Sequence, residues 1–468
     1  MPVIKLEGHS YKFPVSDVLR LFYGEAENID NGEISAGSDL HIVIHSRLVD
    51  GIVSTRMEGK SEWDCIADAD MAISPKREVK RQLYKILSRL LGHEFPWGSL
   101  TGIRPTLVAR EVGNAEQLTE RYFVRPDKAR LAVKTAAMED HTLLSSPAAS
   151  VSVYVGVPFC RSRCTYCSFI SQVASSQMYL LKDYADAVQT EIDEYFLENS
   201  PSISSLYFGG GTPTVFDDLP FQQFMDGVFR SLHADEIPEI TVEAGRADTI
   251  TENKLKTLKN LGVTRICINP QTLSDQTLAL LGRRHTVEEF YEAYNLAVRL
   301  GFTSINTDLI AGLPQEKEQD FEHSLEGVLS LHPQNITIHT LSKKRNAALA
   351  PEILPWTTKD EMTVPDDMIS YAHKRLQDVG YEPYYLYRQK NTVGGHENTG
   401  YTLPGHACTY NVAMMSDRRS VIGFGAGSIS KRLMEGTRLE RCPNIRNPKE
   451  YIERATEMAM RKSQLFRV

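Results

Sequence analysis

The sequence lacks the patterns that mark a secreted or membrane-spanning protein. Its 468 residues contain no apolar run near the ~20 residues of a membrane span, and its first residues lack the basic-then-apolar order of a secretory signal. It has no polybasic block, and its net charge is −8, so electrostatic attraction to nucleic acid or an anionic membrane is weak. We therefore expect a cytoplasmic protein with no membrane span and no nucleic-acid partner, and we expect it to be a monomer.

The seven cysteines do not form the even set of a disulfide framework. Four are scattered, and the simplest interpretation is that they are small core or surface residues: Cys65, Cys267, Cys408 and Cys442. The other three, Cys160, Cys164 and Cys167, have the spacing C-x3-C-x2-C on one loop. A structural zinc site usually needs a fourth ligand, and residues 168–170 supply none. Three thiolates on a cubic iron-sulfur cluster would leave one iron open to another ligand.

The chain has no exact internal repeat and no low-complexity tract, and residues 1–145 read as a separate α+β unit. Its predicted elements are strands Ile4–Tyr11, His41–His45 and Gly51–Thr55 and the helix Lys76–Leu91. The loop Trp97–Pro105 is unusual, with a buried-type aromatic residue and a proline after Arg104.

From about residue 150 the pattern changes to short strands separated by amphipathic helices. Strands are predicted at 152–157, 203–208, 239–244, 264–269, 303–309 and 335–341, with helices between them. This alternation predicts parallel strands with right-handed crossovers, in either an open sheet or a partial barrel. Ligands gather at the carboxyl ends of such strands. The remaining segment, 346–468, is predicted to hold a helix near Asp366–Leu376, a strand Glu382–Arg388 and a loop from Asn391 to Tyr401.

Unusual residues follow all six predicted strands. In strand order, they are the Cys loop, Gly209–Thr214, Glu243, Asn269–Gln271, Asp308 with Gly312–Pro314, and His339 with Ser342. Because parallel strands end at one edge, these residues predict a single site.

Each of these features also has a plainer interpretation. The glycines could form only a tight turn, or they could let the backbone approach a ligand. Glu243 could be a surface carboxylate or an acceptor for a ribose or ammonium group, and Arg283 could cap a helix or clamp a carboxylate. The basic residues of the predicted rim could be solvated or could attract an anionic substrate, and they are Lys343, Lys344, Arg345, Arg388 and Lys390.

Taken together, these motifs resemble a known family. The Cys loop is similar to that of the radical S-adenosylmethionine superfamily. The stretch Tyr154–Cys160, the Gly-Gly-Gly-Thr-Pro-Thr run and Gly425–Ser430 resemble the oxygen-independent coproporphyrinogen III oxidase (dehydrogenase) group. Within that group, Leu100–Thr106 and Tyr385–Asn391 are similar to the HemZ branch.

The resemblance implies an α/β fold: a partial (β/α)6 barrel over 150–345, an accessory domain over 1–145 and a substrate-covering region over 346–468. It also implies a [4Fe-4S] cluster on the three loop cysteines, one or two molecules of S-adenosylmethionine, and an electron donor such as a flavodoxin or ferredoxin. The implied cofactor contacts are Tyr154, Tyr166, Gly210, Gly211, Thr212, Glu243, Gln271, Arg283, Asp308, Ser342 and Ile429. No catalytic side chain is implied beyond the cluster and cofactor.

The implied reaction is oxidative decarboxylation of two propionates of coproporphyrinogen III, an anionic tetrapyrrole, to the vinyl groups of protoporphyrinogen IX. Two positions depart from the well-studied oxidases, since Phe169 stands where they have a fourth cysteine and Gly156 where they have a histidine. The related activities are therefore alternatives: a haem-binding chaperone, a methyltransferase or a haem-modifying enzyme.

Overall fold

The computed structural model describes residues 2–24, 26–29, 33–35, 42–68, 74–167, 172–173, 178–342, 363–390, 392–435 and 438–467. The chain forms two compact units, residues 1–136 with 387–397 and residues 137–386 with 398–468. The predicted division into the segments 1–145, 150–345 and 346–468 is not tested by these two units and stays a prediction. Among the described helices, none is long and apolar enough to cross a bilayer.

The first unit contains a six-stranded mixed sheet with the spatial order β2-β3-β1-β4-β5-β6. The strands are β1 (Pro2–Glu7), β2 (Glu27–Ile29), β3 (Glu33–Ser35), β4 (Ile42–Val49), β5 (Ile52–Met57) and β6 (Cys65–Asp68). The helices are Lys12–Tyr23, Pro75–Leu91, Pro105–Val112, Ala115–Tyr122 and the first part of Pro126–Leu144. Two of these helices bury Val18 and Leu83 against Ile4 and Ile44 of the sheet, which gives this unit a core of its own.

Local turn chemistry accounts for the confirmed elements of this unit. β4 and β5 join at Asp50 and Gly51, which have φ of 51° and 77°, as an Asp-Gly hairpin turn requires. The predicted strand Ile4–Tyr11 is wrong beyond Glu7. The chain turns there at Gly8, whose φ is 72°, and the next helix begins at Lys12.

The second unit is built on parallel strands that alternate with helices. The strands are β7 (Val151–Val157), β8 (Phe159–Cys160), β9 (Gln172–Val173), β10 (Ile203–Gly210), β11 (Ile240–Glu243), β12 (Arg265–Cys267), β13 (Ile305–Ala311) and β14 (Asn335–Thr340). All of them except β8 and β9 lie side by side in chain order and in parallel. The helices between them are Leu181–Glu198, Asp218–Leu232, Glu252–Asn260, Asp275–Leu280, Val287–Arg299 and Glu318–Leu329. The predicted alternation of strands and helices is confirmed.

Both edges of this parallel set carry further strands. They are β15 (Glu382–Arg388), β16 (Glu397–Thr402), β17 (Val421–Phe424), β18 (Ile429–Leu433) and β19 (Leu439–Pro443). β16 pairs antiparallel with β14, and β17 pairs parallel with β7, so the sheet has eleven strands. The predicted loop from Asn391 to Tyr401 is therefore wrong over its second half. The remaining helices are Thr363–Asp378, Thr409–Ser416, Pro448–Glu453 and Ala455–Phe466.

The two faces of the parallel strands differ in chemistry. One face carries Val155, Phe208, Val242 and Ile266, which are fully buried in the core shared with the helices. Buried parallel strands are usually apolar on both faces, but here the alternate positions on the opposite face are polar. They include Tyr154, Tyr207, Glu243, Asn306, Asp308, Thr337 and His339. Polar groups kept in such a position indicate a ligand-binding interior rather than a packed core.

Candidate functional site

The glycine-rich run is fastened to the beginning of the Cys loop. The N–H of Gly211 donates to the carbonyl of Val157 at 2.8 Å, and the N–H of Thr212 donates to the carbonyl of Phe159 at 2.8 Å. A Cβ on Gly211 would lie 2.5 Å from the carbonyl oxygen of Phe159. Only glycine therefore allows the two loops to approach this closely. The hydroxyl of Thr212 lies 3.6 Å from the Sγ of Cys160.

Two buried arginines lie against the Cys loop. Arg246 Nη1 is 3.7 Å from the Sγ of Cys164 and donates to the carbonyl of Ser162 at 3.3 Å. Asp248 holds this guanidinium through two contacts of 2.9 and 3.0 Å. Cationic donors beside a cysteine favour its thiolate, which is the form that binds metal. Sequence reasoning missed Arg246 as a site residue, because only the fold brings it near a cysteine 82 positions away.

Arg283, a predicted cofactor contact, spans the edge of the site. Its Nη2 donates to the carbonyls of Asn269 at 2.8 Å and Gly245 at 3.1 Å. Its Nη1 donates to the hydroxyl of Tyr166 at 3.3 Å and lies 4.0 Å from the Sγ of Cys164. The arginine therefore links two strand ends to the Cys loop.

The donor set fits an iron-sulfur cluster, because three thiols share one loop and two guanidinium groups face the sulfur of Cys164. Hydrogen bonds to sulfur also tune the potential of such clusters. Within the described residues, no group of three or more His, Cys, Asp or Glu side chains has the arrangement of a metal site. The assignment of Cys160, Cys164 and Cys167 as ligands therefore stays a prediction. Phe169 lies outside the described residues.

Glu243 projects into the interior at the end of β11. The hydroxyl of Tyr207 donates to its Oε1 at 2.6 Å, and a Cβ on Gly209 would lie 3.0 Å from its carboxyl carbon. Burial raises the pKa of Glu243 to about 7, and hydrogen bonds from Tyr207 and the backbone of Gly210 oppose this rise. A carboxyl group with this pKa can be neutral or charged near neutral pH.

Replacing Glu243 with glutamine should flatten the pH dependence of stability. The folded-state pKa is above the ordinary value of 4.5, so stability from this group is present below about pH 4.5 and is lost as the pH rises to about 7. Between pH 5 and pH 8, we expect the free energy of unfolding of the wild type to fall relative to that of Glu243→Gln by on the order of 2 kcal/mol. Urea unfolding at both pH values measures the difference, and parallel curves for the two proteins would refute it.

Three tyrosine rings stack beside Glu243. Tyr207 and Tyr410 have ring centroids 4.3 Å apart and an interplanar angle of 22°, and Tyr154 lies 5.9 Å from Tyr410 at 18°. Tyr410 comes from the C-terminal helix Thr409–Ser416 and was not predicted as a site residue. Burial raises the pKa values of all three hydroxyls, so they stay protonated at neutral pH.

Asp308 is the centre of a second polar group in the interior. Amide donors from Asn269 and Asn306 lie 2.8 Å from its two oxygens, and Nε2 of His339 is 3.5 Å from Oδ2. Burial would raise the pKa of Asp308, but His339 and Asn306 outweigh it, and the net pKa is lowered. Burial would lower the pKa of His339, but Asp308 outweighs it, and the net pKa is raised. The pair therefore favours a carboxylate beside an imidazolium.

Gln271 is held next to this group in an uncommon conformation. Its φ is 73°, a region that non-glycine residues seldom occupy. Its N–H donates to the carbonyl of Asp308 at 2.9 Å, and its carbonyl accepts from the N–H of Ile310 at 3.0 Å. Such strain is common at functional sites.

Other predicted contacts lie in different places. Ser342 is buried shortly after β14, and Ile429, which is 42 % exposed, begins β18.

Among the predicted substrate contacts, Arg388 is buried in the first unit, where its guanidinium donates to the carbonyls of Leu100 and Gly395. Lys390 pairs with Asp17 at 2.9 Å in the same unit. Their role as substrate contacts stays a prediction. Lys343, Lys344 and Arg345 lie outside the described residues.

Comparison with known proteins places this site in a family. The model of the radical SAM superfamily matches residues 154–328. The chain is 34% identical over 481 aligned residues, covering 96% of itself and 95% of the relative, to the oxygen-independent coproporphyrinogen-III oxidase-like protein HemZ of Bacillus subtilis. The chain belongs to the HemZ family of radical SAM proteins. Members of this superfamily use a [4Fe-4S] cluster and S-adenosylmethionine, so the predicted cofactors are confirmed at the level of the family.

Two further proteins are more distantly similar to this chain. The heme chaperone HemW of Escherichia coli is 27% identical over 65% of this chain and 76% of its own length. The structure of the E. coli coproporphyrinogen III oxidase HemN, a radical SAM enzyme, superposes with a TM-score of 0.53 at 22% identity, over 69% of this chain and 73% of the HemN chain. The second similarity confirms the predicted radical SAM fold.

Proposed function

We propose that this protein is an oxygen-independent coproporphyrinogen III dehydrogenase, which converts propionate side chains of the tetrapyrrole to vinyl groups and gives protoporphyrinogen IX. The observation that carries the proposal is the similarity to HemZ, a coproporphyrinogen-III oxidase-like protein, over 96% of the chain. That similarity extends well beyond the radical SAM match at 154–328.

The residues of the interior suit this chemistry. The cluster and S-adenosylmethionine, when bound, supply hydrogen-atom abstraction from an unactivated carbon. The stacked rings of Tyr154, Tyr207 and Tyr410 offer a flat face to one pyrrole ring. Asp308 raises the pKa of His339, which favours the imidazolium form that attracts a propionate carboxylate. The alternate residues of the same strands are buried in the core shared with the helices, which fixes the strands that carry these groups.

The cofactor would be held by groups at the strand ends. Gly210, Gly211 and Thr212 lie beside the Cys loop, where backbone groups can meet the methionine part. Glu243 and Asp308 can accept hydrogen bonds from ribose hydroxyls or an ammonium group. Tyr166, Arg283 and Gln271 line the same edge.

We further propose that the protein works in the cytoplasm as a monomer and receives electrons from a flavodoxin or ferredoxin. The three segments 1–145, 150–345 and 346–468 would serve as accessory domain, barrel and substrate cover. The net charge of −8 supports the absence of a nucleic-acid partner.

Haem trafficking is the second candidate, and the similarity to HemW favours it. At Gly156, where the well-studied oxidases carry a histidine, a Cβ would lie 3.1 Å from the ring of Tyr154. A larger side chain at this position would therefore require Tyr154 to move.

One anaerobic assay distinguishes these functions. Reconstituted protein is supplied with coproporphyrinogen III, S-adenosylmethionine and a reductant, and the products are separated by chromatography with mass detection. We expect a vinyl-bearing tetrapyrrole together with 5′-deoxyadenosine. Formation of 5′-deoxyadenosine with unchanged tetrapyrrole would refute the dehydrogenase function. Stable haem binding without turnover would identify a chaperone, a methylated product would identify a transferase, and an altered haem would identify a haem-modifying enzyme.

A further inference from the structure

The first unit contains a cavity that the proposed function does not use. Its volume is about 260 Å³, and it lies between the helix Pro75–Leu91 and the turn that leads into the helix Pro105–Val112. The loop 99–105, which is unusual in the sequence, forms much of its wall. Typical ligand pockets measure about 300–1,000 Å³, so this cavity suits a small molecule.

The loop is held in place from behind. The N–H of Arg388 donates to the carbonyl of Ile103 at 2.8 Å, and its guanidinium donates to the carbonyl of Leu100. The N–H of Ser99 donates to the carbonyl of Tyr122 at 2.8 Å. These contacts fix the shape of the cavity wall before any ligand binds.

Cationic side chains outnumber carboxylates around the cavity. Arg77, Lys80 and Arg104 line it, against a single carboxylate, Glu111. Glu111 is already paired with Arg77 through both of its oxygens. Lys80 Nζ donates to the hydroxyl of Thr101 at 2.8 Å, which leaves its remaining protons for another acceptor. The cavity is thus locally positive in a chain whose net charge is −8.

A buried tyrosine and the start of a helix border the same space. Tyr122 lines the cavity and is 1% exposed. Its hydroxyl can accept a hydrogen bond from Arg77, and among the described residues its own proton has no acceptor. The helix Pro105–Val112 also begins at the cavity wall, but Pro105 has no N–H and the N–H of Leu107 donates to the carbonyl of Arg104 at 3.3 Å, so the site does not depend on donors from the helix. A buried hydroxyl proton without an acceptor is costly, and a bound oxyanion would accept it.

We propose that this cavity binds the phosphoryl group of a small phosphorylated organic molecule. The ammonium of Lys80, the guanidinium of Arg104 and the hydroxyl proton of Tyr122 can together contact a tetrahedral oxyanion. The remaining wall is apolar and is formed by Leu100, Ile103, Leu107 and Val108. The organic part of the ligand packs against these side chains.

The charge state of Lys80 gives the site a measurable signature. Burial lowers the pKa of Lys80 to about 8. Among the groups that face it, Asp17 opposes this change, while Lys76, Arg77 and Arg388 reinforce it. Arg104, Glu111 and Tyr122 complete the ionisable groups of the cavity. An anion beside Lys80 raises the pKa of the ammonium, so binding near pH 8 takes up protons, and affinity falls as the pH rises above 8.

Calorimetric titration of the full-length protein tests the proposal. The probes are inorganic phosphate, ribose 5-phosphate, ribose and succinate. We expect ribose 5-phosphate to bind more tightly than phosphate, and ribose and succinate to bind weakly or not at all. Titrations near pH 8 in two buffers with different ionisation heats should show proton uptake. Absence of saturable binding of both phosphate probes, or tighter binding of succinate than of ribose 5-phosphate, would overturn the proposal.

Matched variants locate the site. Lys80→Gln and Tyr122→Phe should each weaken the binding of ribose 5-phosphate about tenfold or more, because each removes a hydrogen bond to a charged group. Lys85→Gln makes the same change on the exposed side of the same helix and should leave the affinity unchanged. Equal affinities of Lys80→Gln and Lys85→Gln would refute the site. If Lys80→Gln does not fold, Tyr122→Phe and the proton uptake of the wild type still test whether this cavity binds the phosphoryl group. None of these measurements depends on tetrapyrrole turnover.

Discussion

Replacing Lys462 with methionine should lower the free energy of unfolding of the second unit by about 3–5 kcal/mol. Lys462 Nζ pairs with Oε1 of Glu191, and both side chains are fully buried. Nζ also donates to Oδ1 of Asn444 at 2.9 Å. Burial lowers the pKa of Lys462, and Glu191 opposes that change. Methionine keeps most of the side-chain volume but leaves the buried carboxylate without its cation, which explains the large expected loss.

The control is the same substitution in an exposed pair of the same unit. Lys256 contacts Glu252 at 2.8 Å, with both side chains more than half exposed. Lys256→Met should change stability by no more than about 0.5 kcal/mol, because solvent screens such pairs. Urea unfolding followed by circular dichroism compares the two variants. A loss for Lys462→Met within 1 kcal/mol of that for Lys256→Met would contradict the argument.

The buried pair also supports the candidate site. Glu191 accepts from the N–H of Gly425 at 2.8 Å. The neighbouring Tyr184 hydroxyl donates to the carbonyl of Gly156 at 2.6 Å and accepts from the N–H of Ala426 at 3.0 Å. These contacts join the loop before β18 to the end of β7, from which the Cys loop starts. We therefore infer that Glu191 and Lys462 position the loop that leads to Ile429, a predicted cofactor contact.

The sequence allowed the parallel strands to be predicted because their pattern is local. β7 was predicted at 152–157 and is Val151–Val157, and β13 was predicted at 303–309 and is Ile305–Ala311. Each strand is a short β-branched or apolar run followed by a helix with a clear apolar stripe. The polar residues at the strand ends then followed from the parallel topology alone.

The flanking strands could not be predicted in the same way. β16 reads Glu-Asn-Thr-Gly-Tyr-Thr, with no apolar alternation, and yet all six residues are buried. Its burial comes from pairing with β14 and from the close packing of the Tyr385 ring against Gly400. Such tertiary contacts override local propensity.

The site shows the same limit of sequence reasoning. Arg246 and Asp248 flank the Cys loop, but nothing in their local sequence distinguishes them from a surface ion pair. Arg388 was predicted as a substrate contact from local charge; the fold buries its guanidinium against the carbonyls of Leu100 and Gly395, and its role stays a prediction. Local charge indicates neither burial nor partners, and those decide whether an arginine binds a ligand or supports a loop.

Replacing Cys164 with serine should reduce S-adenosylmethionine-dependent activity more than about 100-fold and remove iron from the protein. Loss of a group that only orients a metal ligand lowers metal affinity or activity by about 10–100-fold, and here a ligand itself is lost. Cys164 is buried, with Arg246 at 3.7 Å and Arg283 at 4.0 Å from its Sγ. Serine preserves its shape, but its hydroxyl stays protonated and binds iron poorly. Iron and sulfide analysis and the visible spectrum of anoxically prepared protein measure the loss.

The matched control for this substitution is Cys65→Ser in the first unit. Its thiol is partly buried and donates to the carbonyl of Trp63 at 3.6 Å within the first unit. This variant should keep its iron, its brown colour and its activity. Full iron content in Cys164→Ser would exclude Cys164 as a ligand. A urea midpoint equal to that of iron-free wild type would show that the thiol binds the cluster rather than packing the loop, because a packing cysteine would lower the free energy of unfolding of the iron-free protein as well.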